Sequence, residues 1–115
     1  MHDKVLNIIR ETLLHENTIQ RIWIDVDQSV VKIEFTQPNE HYQYPDHELT
    51  LVFHNIKELV IQIENQPIAP FQELLGIECQ RTENVYSATM KFGQTNKSLT
   101  RQLKIVFEDL TYQRK

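Results

Sequence analysis

The spacing of apolar residues changes once, near the N-terminus, and then holds one period to the end of the chain. Over residues 3–14, Leu6, Ile9 and Leu13 recur at intervals of three and four with Val5 beside them. Lys4, Asn7, Arg10 and Glu11 fall elsewhere. That spacing predicts an amphipathic helix. Asp3 suits its N-cap, because a short carboxylate can accept from the first free backbone N–H groups. His15 to Asn17 suit its exit, since Asn tolerates a left-handed backbone. From Ile22 onward the period is two. Ile22, Ile24 and Val26 form one alternating set and Val31, Ile33 and Phe35 the next, with a turn at Asp27-Gln28-Ser29. Leu49, Leu51 and Phe53 follow, then a turn at His54-Asn55, then Leu59, Ile61 and Ile63. Ile77 and Cys79 open a fifth strand, Tyr86 to Phe92 a sixth, and Leu103, Ile105 and Phe107 a seventh. Alternation of this kind predicts strands with one apolar face.

Two stretches interrupt the strands. Residues 37–47 are polar, hold two prolines, and read as a loop. Residues 65–70 hold two more, and Pro70 to Leu75, closed by Gly76, would fit one or two helical turns. The polar tail 113–115 is expected to fray.

No helix-length crossover separates most of the strands, so the pattern argues against βαβ units. The expected fold is mainly β (α+β): an antiparallel meander sheet of six or seven strands, flat, curled or sandwich-like, with the N-terminal helix against its apolar face. Ile24, Ile33, Phe35, Leu51, Phe53, Ile61, Ile105 and Phe107 are the expected core. No internal repeat is visible. At 115 residues the chain fits a single domain, 1–115, able to bury one modest core without staples.

Composition narrows the function. The net charge is -4, with five Lys/Arg against nine Asp/Glu over 1–57 and seven of each over 58–115. Without a basic cluster, phosphate backbones have little to hold, so no nucleic-acid partner is expected. Apolar runs of three residues, such as Leu51-Val52-Phe53, are too short to span a membrane. A single cysteine, Cys79, rules out an internal disulfide and suits a reducing compartment, so the expected location is cytoplasmic.

Candidates for chemistry are few. Cys79 shares a strand face with Ile77 and reads as a buried, inert thiol. The histidines are His2, His15, His41, His47 and His54, and none sits in a metalloprotease spacing. His41 and His47 lie near Asp46 and Glu48 but lack the patterned ligand pairs of a zinc site, so no metal is expected. Asp25, Glu34, Glu64 and Glu108 take solvent-side strand positions. Two glycines in the whole chain exclude a glycine-rich phosphate loop. No cofactor and no catalytic residue are expected.

Two surfaces suit recognition instead. The loop residues His41, Tyr42, Tyr44, Asp46 and His47 combine rings with charge, although the rings could equally fold back onto the core. Trp23, Val30, Val52, Val60 and Val106 stand out of phase with the core set. If their strands are neighbours they form a second apolar face, covered either by the same chain or by a second copy in a homodimer.

The run Leu14 to Ile22, followed by alternating strands and then Leu49 to Ile56, resembles small bacterial β-rich proteins. These open with a short helix, an L-H-D-x-x-I-x-x-I segment and a hairpin, and end a later strand on L-x-F-x-N-V. Some are predicted immunity proteins of polymorphic-toxin systems. Glu16 stands where that motif has aspartate, a departure. The resemblance implies a bacterial, cytoplasmic, non-enzymatic protein that binds another protein, a toxin in the immunity case, and brings no catalytic residues. The alternative is a small-ligand-binding domain with a pocket between sheet and helix.

Overall fold

The computed structural model describes residues 3–12, 18–37, 47–62, 73–93 and 100–114. They form one helix, α1 (Lys4–Thr12), and eight strands. The strands are β1 (Thr18–Asp25), β2 (Val30–Gln37), β3 (His47–His54), β4 (Glu58–Gln62), β5 (Glu73–Thr82), β6 (Val85–Gly93), β7 (Thr100–Phe107) and β8 (Asp109–Arg114). Every pairing is antiparallel, as the alternation requires.

The strand order is β4-β7-β6-β5-β1-β2-β3-β8, not a simple meander. Among the described residues, β1 and β5 pair only at Thr18↔Glu73, so the order divides into two four-stranded antiparallel halves. At the opposite end the halves share a bent ladder. The chain passes from β3 to β4 through 55–57 and from β7 to β8 through Glu108. Pairing runs from His54↔Asp109 across the bend to Glu58↔Val106. The bend keeps its backbone groups satisfied: Lys57 N–H donates to the Val106 carbonyl at 2.7 Å and Glu108 N–H to that of His54 at 3.1 Å.

The two halves face each other and enclose one core. Phe53 of β3 meets Phe107 of β7 edge to face, ring centres 4.9 Å apart. Phe35 of β2 stacks on Phe92 of β6 at 6.4 Å. The described residues form eight strands rather than six or seven, in two antiparallel halves packed on one core.

The halves repeat one another. In the first, the register row runs Ile22↔Ile33↔Leu51; in the second, Ile77↔Met90↔Leu103. Each opening strand slips by one residue soon after its start, between Ile19 and Arg21 in β1 and between Leu74 and Gly76 in β5. Equivalent positions meet across the approximate two-fold: Thr18 pairs with Glu73, and Phe35 stacks on Phe92. The repeat is one of strand register, and the sequence carries no matching repeat.

Six of the eight expected core residues are fully buried: Ile33, Phe35, Leu51, Phe53, Ile105 and Phe107. Ile24 and Ile61 are not, at 50% and 43% exposed. Both are in the inward phase, since Ile24 pairs with buried Val31 and Ile61 with buried Leu103. They lie on strands that end a half, where no described residue covers that face. β5 starts at Glu73, so 73–75 are strand instead of helix and Gly76 lies within β5; 70–72 fall outside the described residues. The C-terminal stretch to Arg114 is β8, paired with β3 rather than frayed.

α1 buries Val5, Ile8 and Ile9 and packs against β8 and β5. Asp3 caps it as expected, with Oδ1 accepting from the backbone N–H of Val5 and Leu6 at 3.1 Å. The same carboxylate accepts from the Tyr86 hydroxyl at 2.9 Å and from Arg81 Nη1 at 3.0 Å, tying the helix to the β5–β6 hairpin. Partial burial pushes the Asp3 carboxyl up, but the bonds from Leu6, Tyr86 and Arg81 outweigh it and hold the group below its usual value. A lowered folded pKa stabilises the fold above the unfolded value, and this contribution disappears as pH falls through the folded one. Asp3→Ala should therefore cost about 1–2 kcal/mol near neutral pH. Urea denaturation of both proteins should show the gap closing as the pH is lowered; a gap that does not change with pH would contradict an ionised cap.

Candidate functional site

The exposed stretch of β1 gathers Ile22, Trp23 and Ile24, three of the exposed large apolar side chains, on consecutive residues. The slip between Ile19 and Arg21 adds one unpaired residue, Gln20, and such a bulge bends and twists its strand. Beyond Thr18, β1 is paired on one side by β2 and, among the described residues, by no strand on the other. Residues 21–25 are exposed throughout. Among the described residues, no strand pairs with their outer backbone groups, which form a sheet edge.

Both faces of this edge carry apolar side chains. Ile22 and Ile24, in the inward phase, are 37% and 50% exposed. Trp23 points the other way and is 42% exposed. Arg21 and Asp25 share the Trp23 face, one on each side of it. The Arg21 guanidinium lies 5.9 Å from the Trp23 ring centre, a cation–π distance. Asp25 Oδ1 accepts from the Gln28 N–H at 3.0 Å and fixes the turn into β2, where Ser29 takes φ 53°. An open groove of about 690 Å³ runs beside this hairpin, with Trp23, Val30, Lys32 and Thr50 in its lining.

The structure separates the out-of-phase residues. Trp23, Val30 and Val52 share the outer face of the first half, along the pairings Trp23↔Lys32↔Val52 and Asp25↔Val30. Lys32 stands between Trp23 and Val52. Val60 and Val106 lie on the outer face of the other half, paired with Lys104 and Glu58. The five residues do not make one patch. Of the expected partner loop, His41, Tyr42, Tyr44 and Asp46 lie outside the described residues, and His47 opens β3 opposite Gln37.

The residues missed as surface are Ile22, Ile24 and Val26. One signal was present: Ile22-Trp23-Ile24 is an unbroken apolar run in a strand, which means apolar contact on both faces. Only one of those faces was read as exposed.

Catalytic chemistry finds little here. Cys79 is half-buried, and burial together with the Asp3 carboxylate pushes its thiol up to about 11. At neutral pH it is a thiol and not a nucleophilic thiolate. The His54 ring lies 2.9 Å from the Thr111 hydroxyl on the neighbouring strand. Among the described residues no three His, Cys, Asp or Glu side chains cluster as metal ligands, and no helix is long and apolar enough to cross a membrane. Comparison with known proteins finds no matching family model, no matching curated protein and no matching solved structure.

Proposed function

We propose that this chain is a non-enzymatic protein-binding module that takes an extended strand of its partner onto β1. The observation that carries the reading is the β1 edge, paired by no other strand among the described residues beyond Thr18, with exposed apolar side chains on both faces. Exposed edges with unpaired N–H and C=O groups recruit other strands, and soluble proteins ordinarily blunt them. A partner strand would gain main-chain hydrogen bonds along β1 and apolar contacts with Ile22 and Ile24 on one side and Trp23 on the other. The helix–sheet contact is occupied by Val5, Ile8 and Ile9, which supports a binding surface over a ligand pocket at that place. An immunity-type role in a bacterial cytoplasm, binding a toxin, is the specific form that the sequence resemblance suggests.

Capture from cells of the source organism tests this, with Ile24→Lys as the edge variant and Ile61→Lys as a control on β4. Both sites are exposed, so both variants should fold. Partner recovery should drop at least tenfold for Ile24→Lys, roughly the effect of one buried apolar contact replaced by an unpaired charge. Ile61→Lys should recover as much as the wild type. Equal recovery by all three would overturn the reading.

A further inference from the structure

We infer that the strand received by β1 is β1 of a second copy, paired antiparallel with Trp23 opposite Trp23. This rests on the proposed reading of the edge and names its partner. The argument is charge complementarity within one register. About Trp23, an antiparallel self-pairing sets Arg21 of each copy against Asp25 of the other, and Ile22 against Ile24. Like side chains then share faces: the apolar pairs lie on the core side, and the two indoles with two opposite-charge pairs lie on the outer side. Cross-strand aromatic and opposite-charge pairs are among the favourable ones in antiparallel sheets.

Neighbouring registers lose this match. Centred on Ile22, the pairing sets Arg21 against Trp23 and Ile19 against Asp25. Centred on Ile24, it sets Trp23 against Asp25 and runs Arg21 into the turn at Asp27. Each replaces a complementary pair with a charge opposite an apolar side chain. The Trp23 register also obeys a two-fold axis, the commonest symmetry of small soluble assemblies. It would join β8-β3-β2-β1 of each copy into one continuous eight-stranded sheet.

Sedimentation velocity with charge variants tests it, circular dichroism confirming that each variant is folded. The wild type should sediment as a dimer. Arg21→Asp sets like charges against each other twice and should weaken association at least tenfold. Adding Asp25→Arg restores opposite charges and should bring the dimer back. In a Cys79→Ser background, Trp23→Cys should oxidise to a covalent dimer, because residues opposite each other in such a pair have Cα atoms within disulfide range. A wild type that is monomeric at every concentration, with cellular capture still dependent on Ile24, would overturn the second copy and leave strand addition standing. Monomeric protein with capture independent of Ile24 would overturn both. A dimer unaffected by Arg21→Asp, with no cross-link through position 23, would place the interface elsewhere and overturn the inference.

Discussion

Phe53→Ala should destabilise the fold by about 3–5 kcal/mol. Phe53 is fully buried and meets Phe107 edge to face at 4.9 Å. It comes from β3 and its partner from β7, so the pair joins the two halves beside their shared bend. Truncation removes the transfer energy of a ring and leaves a cavity that the sheets can close only by moving together. For a domain of this size the loss is a large share of the total. Urea denaturation should show a much lower midpoint with little change in slope. An unchanged midpoint would mean that the inward phase of β3 is misassigned.

The second expectation is a contrast between two isoleucines that the sequence presents alike. Ile33→Lys should leave the protein unfolded or aggregated, because it sets an unpaired ammonium at a fully buried position. At dilutions where the wild type is monomeric, Ile24→Lys should fold normally, within about 0.5 kcal/mol of the wild type. The two lie on neighbouring strands with the same inward phase, and their difference is cover: Ile33 has β1 and β3 on either side, while among the described residues Ile24 has β2 alone. Thermal melts of both variants decide it. Comparable destabilisation by the two under those conditions would show that Ile24 is covered by its own chain.

The contrast marks what alternation could and could not show. Period two placed Ile33, Phe35, Leu51, Phe53, Ile105 and Phe107 correctly, because each belongs to a strand with neighbours on both sides. It misplaced Ile24 and Ile61 because phase reports the direction of a side chain, not whether anything lies over it. Strand order was illegible for a related reason. Pairing β7 with β4 and β8 with β3 depends on contacts distant in sequence, across the bends at 55–57 and Glu108. The two-fold repeat was hidden because few matched positions are identical, as Ile22 and Ile77 are, whereas Ile33 matches Met90. Capping was local and therefore legible: Asp3 needs only the next few N–H groups. Of the proposed binding surface, the sequence shows Trp23 as outward from its phase alone. Its flanking Arg21 and Asp25 acquire meaning only once β1 is seen to end the pairing among the described residues.

The central claim is that this chain works by pairing along β1, and amide hydrogen exchange tests it most directly. The protein is measured alone at low concentration and again in its complex, whether self-associated or with a captured protein. The account predicts that outward amides within residues 21–25 exchange fast in the dilute protein and slow at least tenfold in the complex, while the β4 edge at 58–62 is unchanged. Protection confined to another segment, with 21–25 exchanging equally fast in both states, would contradict it.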